Sequence, residues 1–161
     1  MKTASIIIQP IVSVIGIFLL WLSFAMLIPG LLDFFEGNQN WTGFFVSSVF
    51  TFFMGMSFIL MNRGNTIKIE VKSAFMLVVL SWFSLSIFAS LPFITSTQNF
   101  SITDAFFESV SGLTTTGSTI INDIEKSSRG IILWRAILQW LGGIGIVVMA
   151  ITILPLLKVG G

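Results

Sequence analysis

The sequence predicts an all-α membrane protein with four transmembrane helices, and with a re-entrant half-length helix and a loop between the third and fourth spans. Three observations lead to this prediction. Of the 161 residues, 55% are hydrophobic and 9% are charged, whereas soluble proteins carry roughly 25% charged residues. Four apolar stretches reach the roughly 20 residues that a helix needs to cross a bilayer. A further segment between the last two stretches carries a helix signal of its own.

The four apolar stretches are expected to be the membrane spans. They run over about 6–32, 41–61, 73–94 and 130–157. The first is about twice as long as the apolar core of a secretory signal, and no small-residue cleavage site follows it before Asp33, so a span is favoured over a signal peptide. The fourth contains Arg135 and Gln139 but is long enough to cross a bilayer even so.

The distribution of charge predicts the orientation of the spans. With the N-terminus in the cytoplasm, five Lys and Arg residues lie inside and three outside, as the positive-inside rule prefers: Lys2, Arg63, Lys68, Lys72 and Lys158 against Lys126, Arg129 and Arg135. Six of the seven acidic residues then lie on the outer side of the membrane and are expected to attract cations to the outer surface: Asp33, Glu36, Asp104, Glu108, Asp123 and Glu125. We therefore expect a multi-pass protein of the plasma (inner) membrane, in contact with the lipid bilayer.

Tryptophan and glycine residues add expectations about the helix surfaces. Trp41 and Trp134 lie near proposed span ends, where interfacial tryptophans are typical, while Trp82 and Trp140 lie inside spans and are expected to pack between helices. Three glycines cluster in the fourth span: Gly142, Gly143 and Gly145. They favour close packing against a neighbouring helix, with a flexible point in the span as the alternative.

The segment 95–129 is long for a connection between two spans, and it predicts a short helix. Ser101 and Asp104 match a capping box, in which each side chain accepts a hydrogen bond from the other residue's backbone. A helix should therefore begin at about Ile102 and end near Leu113. Its twelve residues would rise about 18 Å, which crosses only half a bilayer. The Thr-rich stretch 114–119 follows.

A half-length helix followed by polar, non-helical residues is typical of a re-entrant loop, because irregular backbone at membrane depth must be buried by protein or line a water-filled path. The C-terminal end of the helix carries partial negative charge and favours a cation. The backbone of 114–119 can turn carbonyl oxygens toward an alkali ion, and Gly117 can adopt dihedral angles closed to other residues. Such a polar run also occurs in ordinary loops; the capped helix, the flanking spans and the acidic exterior favour the pore.

The charged residues near this segment have less specific interpretations. Asp104 and Glu108 are four residues apart and share one helix face, so we interpret them as a helix cap and as part of a negative outer vestibule. Arg135 lies about one turn inside the fourth span, where an unpaired charge is costly. It is expected either to extend outward to the interface or to pair with Glu108 or Asp123.

Several function classes are excluded by composition. The chain has no Cys and no His, which removes thiol nucleophiles, imidazole catalysis and the usual zinc sites. Eight basic against seven acidic residues give a net charge of +1, which is far from the concentrated basic patch of a nucleic-acid-binding protein. We predict neither an enzyme, nor a nucleic-acid partner, nor an organic cofactor.

Two motifs carry a resemblance to a known family. The stretch 107–119, FESVSGLTTTGST, is followed by 134–146, WRAILQWLGGIGI. In this order and separation they resemble the Trk/Ktr family of potassium uptake proteins, and in particular the membrane subunit of bacterial Trk systems. The resemblance covers essentially the whole chain and includes the single Gly of the family's filter loop.

The resemblance implies a domain organisation and a site. Residues 1–65 would hold two leading transmembrane helices, and 66–161 one repeat of span, pore loop and span, with a pore helix at about 102–113 and a filter at about 114–119. It implies potassium as the transported ion, permeating past backbone carbonyls, with five expected ligand residues: Thr114, Thr115, Thr116, Gly117 and Ser118. A cytoplasmic nucleotide-binding ring is the implied regulatory subunit.

Family members continue through three further repeats, and one loop cannot encircle an ion. The expected partners are therefore the remaining pore repeats or additional copies of this chain. The alternative is a truncated, non-conducting fragment that associates with other membrane helices without forming a complete pore.

Overall fold

The computed structural model describes residues 2–62, 71–121, 123–124 and 127–156, and over this part of the chain it contains helices and no strand. There are five α-helices: α1 Lys2–Phe35, α2 Asn40–Leu60, α3 Val71–Ile94, α4 Ile102–Leu113 and α5 Arg129–Leu156. The prediction of an all-helical protein is confirmed. The proposed boundary between residues 65 and 66, and the predicted inward-facing Arg63, Lys68 and Lys158, lie outside the described residues.

Four of the helices are long and apolar enough to cross a membrane. The candidate spans are Ile11–Phe35, Asn40–Leu60, Phe75–Ile94 and Arg129–Val148. They match the four stretches predicted from hydropathy, although the second and fourth begin one residue earlier and the first extends three residues further, to Phe35. Helix α4, with twelve residues, is too short to cross.

Hydrogen bonds at one end of the bundle show how the long helices alternate. The Asn40 side-chain amide, at the start of α2, donates to Ser128 Oγ at 3.0 Å, and its Oδ1 accepts from the Thr97 backbone N–H at 2.7 Å. Ser128 Oγ in turn donates to Asp33 Oδ2 at 3.0 Å. The ends of α1 and α3 and the beginnings of α2 and α5 therefore meet at the same end, as four successive passes require.

Helices α1 and α2 pack with their backbones in close contact. A Cβ atom added to Gly16 would lie 2.8 Å from the Gly55 carbonyl oxygen, and one added to Gly55 would lie 2.8 Å from that of Gly16. Nearer to the α1–α2 connection, Ser48 Oγ of α2 donates to the Ser23 carbonyl oxygen of α1 at 2.8 Å. Small residues permit such an approach, which is how helices associate where lipid removes the hydrophobic driving force.

Helix α4 packs against α3 and α5. Ser109 Oγ donates to the Ser86 carbonyl oxygen of α3 at 2.8 Å, and Ala105 is fully buried. On the other side, a Cβ on Gly112 would lie 2.9 Å from Leu138 Cβ of α5. The short helix is thus anchored between two spans, which fixes the position of the loop at its C-terminus.

Two tryptophans contradict the sequence-based interpretation. Trp134 is 0% exposed rather than interfacial, and its Nε1–H donates to the Ala89 carbonyl oxygen of α3 at 3.0 Å. Trp140, expected to pack between helices, is 68% exposed. Distance from a span end predicts depth but does not indicate which face of the helix is turned inward, and these two side chains lie on different faces of α5, about 120° apart.

Candidate functional site

The predicted capping box begins α4. Ser101 Oγ accepts a hydrogen bond from the Asp104 backbone N–H at 3.1 Å, and Asp104 Oδ2 accepts one from the Ser101 backbone N–H at 3.3 Å. Both otherwise unpaired N–H groups are satisfied. The predicted start at Ile102 and end at Leu113 are confirmed.

The C-terminus of α4 ends in a Schellman turn. The Thr115 N–H donates to the Gly112 carbonyl oxygen at 3.0 Å, and the Thr116 N–H donates to that of Ser111, also at 3.0 Å. Thr115 has a φ of +57°, a left-handed conformation that glycine usually adopts at this position. For a residue with a Cβ this costs roughly 1–2 kcal/mol. A strained threonine therefore follows the helix where a sequence selected for stability alone would carry glycine.

Gly117 turns the chain a second time. Its φ is +76°, its N–H donates to the Ser111 carbonyl oxygen at 3.3 Å, and a Cβ there would meet no atom within 4 Å. The conformation, and not crowding, is what favours glycine at this position. On the far side of the turn, Ser111 Oγ donates to the Ser118 carbonyl oxygen at 2.6 Å.

The structure brings the five predicted site residues into one exposed turn. Thr114 to Ser118 are all exposed, and Thr114 Oγ1 lies 2.8 Å from Thr116 Oγ1. Among the residues that the structure describes, no hydrogen-bond donor is paired with the backbone carbonyl oxygens of 114–117. Oxygen atoms of this kind are suitable ligands for an alkali cation, and the negative end of the α4 dipole adds to their attraction.

Glu108 is buried beside this turn, which contradicts its predicted place in an outer vestibule. Its Oε1 accepts hydrogen bonds from Thr119 Oγ1 at 2.6 Å and from the Ile120 backbone N–H at 2.7 Å. Its Oε2 lies 2.8 Å from Arg135 Nε of α5. Of the alternatives for Arg135, pairing with Glu108 is confirmed. The vestibule assignment was wrong because helical spacing places Glu108 and Asp104 on one face without indicating that the chain after Gly117 covers Glu108.

Asp33, which was predicted on the outer side of the membrane, is a second buried carboxylate. Its Oδ1 accepts a hydrogen bond from the Gly130 backbone N–H at 2.9 Å, and its Oδ2 accepts one from Ser128 Oγ. It therefore caps the N-terminus of α5 from the end of α1, where the positive end of the helix dipole stabilises an anion. Glu36, also predicted on the outer side, pairs with Arg129 at 2.8 Å. Two of the six acidic residues are thus buried, and a third is neutralised by a cation.

Of the three clustered glycines, Gly142 makes the close contact. A Cβ there would overlap the Leu113 carbonyl oxygen and lie 2.7 Å from its carbon. The nearest atom to a Cβ on Gly143 is Thr115 Cγ2 at 4.0 Å, and on Gly145 it is Trp82 Cζ2 at 3.7 Å. The packing interpretation is therefore confirmed for Gly142, which lets α5 contact the last residue of α4.

Sequence reasoning missed the roles of Asp33, Asn40 and Ser128 at the shared end of the bundle, and of Thr119 beside the turn. A partial signal was present, because Asp33 and Asn40 flank the short α1–α2 connection at the ends of two spans. Polar side chains there can cap a helix or join neighbouring helices. Which distant helix they would reach was not readable from the sequence.

The bundle and its turn define a class of protein. Four helices that can cross a membrane hold a short capped helix, whose C-terminus presents exposed oxygen atoms, so the chain has the features of a helical membrane protein. Comparison with known families agrees, since the TrkH family, described as cation transport protein, matches residues 40–161. The chain belongs to this family, which is one of transporters and not a class of enzymes, and the predicted Trk resemblance is confirmed.

Individual relatives extend the match. The chain is 43% identical over 152 residues to the Trk system potassium uptake protein TrkI of Halomonas elongata, covering 94% of this chain and 31% of that protein. It is 38% identical over 154 residues to TrkH of Vibrio parahaemolyticus, covering 95% of this chain and 32% of that one. The crystal structure of the potassium transporter TrkH from Vibrio parahaemolyticus superposes with a TM-score of 0.89 at 37% identity, covering 96% of this chain and 33% of the other. The chain thus spans about a third of the length of these relatives.

Proposed function

We propose that this chain supplies one quarter of a potassium-selective filter in a Trk-type uptake system. In this proposal α4 is a re-entrant pore helix and the turn at Thr114–Ser118 is the filter segment. A potassium ion loses part of its hydration shell and is coordinated by backbone carbonyls of the turn. Permeation is driven by the electrochemical gradient and involves no covalent chemistry.

The geometry of the turn carries the proposal. The N–H groups of Thr116 and Gly117 are directed back to the Ser111 carbonyl oxygen. In a trans peptide unit the C=O points opposite to the N–H, so the carbonyl groups of Thr115 and Thr116, which share these two peptide units, face away from Ser111. Backbone carbonyl oxygens turned to one side are what an alkali-ion site requires. The strained φ of Thr115 supports the same function, because such strain clusters at ligand-binding segments.

The proposal includes the surroundings of the filter. The protein lies in the plasma (inner) membrane with its N-terminus in the cytoplasm, as the distribution of Lys and Arg favours. The filter is completed by three further loops, either from additional repeats or from other copies of this chain. A cytoplasmic nucleotide-binding subunit regulates it, as implied by the Trk resemblance, and the named relatives are themselves described as components of a Trk system.

A chimaeric transporter tests the proposal. Residues 1–161 replace the matching third of Vibrio parahaemolyticus TrkH, and rubidium uptake is measured in proteoliposomes. Gly117→Asp places a carboxylate in the filter segment, and Gly37→Asp is the matched control. Gly37 has a φ of +71°, and a Cβ there also meets no atom within 4 Å, so both substitutions impose a similar backbone strain in open space.

We expect the unsubstituted chimaera and the Gly37→Asp variant to take up rubidium, and Gly117→Asp to lose uptake while inserting normally. Equal uptake by the two variants would overturn the filter assignment. Equal loss in both would also overturn it, because the effect would then come from backbone strain alone.

A second measurement separates the proposed function from the alternative of a non-conducting fragment. The 161-residue chain alone is reconstituted, and its oligomeric state in nanodiscs and its rubidium flux are recorded. Tetramers with a flux that Gly117→Asp abolishes would mean that copies of this chain assemble a pore. Monomers without flux, beside a conducting chimaera, would mean that the segment needs the other three repeats.

A further inference from the structure

We infer that Glu108 and Arg135 are a positioning pair that holds the chain after Gly117 in place and thereby sets the preference of the filter for potassium over sodium. This inference rests on the proposed function. Neither residue contacts the ion in this arrangement. Both act through Thr119 and Ile120, the second and third residues after Gly117.

The two oxygens of Glu108 have separate partners. Oε1 accepts from Thr119 Oγ1 at 2.6 Å and from the Ile120 N–H at 2.7 Å, while Oε2 faces Arg135 Nε at 2.8 Å. One carboxylate therefore joins three parts of the fold: the middle of α4, the chain leaving the turn, and α5. Carboxylates that accept such charge-assisted hydrogen bonds hold their donors more firmly than neutral groups do.

The filter segment is held on both sides. On its N-terminal side, Thr116 and Gly117 donate to the Ser111 carbonyl oxygen, and Ser111 Oγ donates to the carbonyl oxygen of Ser118. On its C-terminal side, Glu108 holds Thr119 and Ile120. Because these attachments are only a few residues apart, the carbonyl groups between them have little freedom. A filter that cannot contract around a smaller ion discriminates against sodium.

Arg135 makes the buried carboxylate possible. The Glu108 side chain is 0% exposed and that of Arg135 is 13% exposed, so each charge is largely removed from water. Removing one partner of such a pair leaves an uncompensated buried charge, which is strongly unfavourable. The pairing also directs the Arg135 guanidinium toward α4. Because Glu108 neutralises its charge there, Arg135 does not repel a potassium ion at the filter segment.

Asp33 provides the matched control for Glu108. It is also a fully buried carboxylate, it also accepts a backbone N–H and a hydroxyl, and it also connects another helix to α5. Its partners lie at the N-terminus of α5, and none of them belongs to the turn at 114–118. An acid-to-amide substitution at either residue changes the same chemical group, but only at Glu108 does it affect the filter.

The test measures rubidium uptake by the chimaeric transporter in competition with potassium and with sodium. We expect Glu108→Gln and Thr119→Val to lower the potassium-over-sodium preference by about tenfold, the scale of one lost hydrogen bond to a charged group. Glu108→Gln removes the negative charge but keeps an amide oxygen that can accept, whereas Thr119→Val removes the hydroxyl donor of the same hydrogen bond. The losses of preference in the double variant should therefore be less than additive. Asp33→Asn should keep the original preference, and Arg135→Lys should retain more of it than Arg135→Gln.

An unchanged preference in Glu108→Gln and Thr119→Val would overturn the inference, as would an equal loss in Asp33→Asn, which would indicate general destabilisation. Failure of the proposed function would give a different result, because Gly117→Asp would then leave rubidium uptake unchanged. If the chimaera does not transport, amide hydrogen exchange in the 161-residue chain tests whether Glu108 holds Ile120. The Ile120 amide should be protected from exchange, although the Ile120 side chain is exposed, and Glu108→Ala should remove that protection. A rapidly exchanging Ile120 amide in the unsubstituted chain would refute the positioning pair.

Discussion

Gly142 and Gly143 are adjacent in α5 and differ sharply in what a methyl group would meet. A Cβ on Gly142 would overlap the Leu113 carbonyl oxygen and approach its carbon to 2.7 Å, while ordinary van der Waals contact begins at 3.4 Å. A Cβ on Gly143 finds its nearest neighbour, Thr115 Cγ2, at 4.0 Å. Gly142→Ala and Gly143→Ala therefore form a matched pair in one helix.

The magnitude follows from two opposing terms. Replacing Gly by Ala within a helix stabilises it by about 1 kcal/mol at either position. At Gly142 the added methyl group must push the end of α4 away until the overlapping Leu113 carbonyl group reaches van der Waals distance, and the obstacle is backbone that cannot change rotamer. Overpacking of this kind costs about 1–3 kcal/mol. We expect Gly143→Ala to be more stable than the unsubstituted chain, and Gly142→Ala to be less stable than Gly143→Ala by about the overpacking cost.

Thermal unfolding of the purified chain in one detergent, followed by circular dichroism at the helical signal, measures the difference. The chimaeric transporter supplies a second readout, because a displaced α4 moves the turn at 114–118 and should reduce rubidium uptake in Gly142→Ala but not in Gly143→Ala. Equal unfolding temperatures for the two variants would refute the close contact between Leu113 and Gly142. A Gly142→Ala chain more stable than Gly143→Ala would show that α5 faces α4 differently.

Three further predictions concern single side chains. Asp33→Ala should lower the free energy of unfolding by about 1–3 kcal/mol, because it leaves buried donors at the start of α5 without their acceptor. Glu36→Ala should lower it by less than about 1 kcal/mol, because it breaks an exposed ion pair. Thermal unfolding compares the two, and equal losses would contradict the burial of Asp33. Ser101→Ala should cost about 1 kcal/mol by removing the cap of α4, and faster amide exchange in its first turn would report the loss. In variants that keep one tryptophan, brominated lipid should quench the fluorescence of Trp140 strongly and that of Trp134 weakly; the reverse order would refute the placement of these two residues.

Part of this structure was readable because its causes are local. A helix in lipid satisfies its own backbone hydrogen bonds, so the length and apolarity of each stretch predicted the four spans to within a few residues. The capping box of α4 involves only Ser101 and Asp104, and the predicted helix start is confirmed. The left-handed turn at Gly117 is likewise a local property of glycine.

The sequence by itself determined the spans, the short helix and the polar turn, while the tertiary structure decided which side chains face inward. Lipid is as apolar as the interface between two helices, so the lipid-facing side of a transmembrane helix can be as apolar as its buried side. Hydropathy therefore could not distinguish buried Trp134 from exposed Trp140, or crowded Gly142 from open Gly143. The same holds for Glu108, because the partners that bury its charge come from the chain beyond the turn and from another helix, and only folding brings them together.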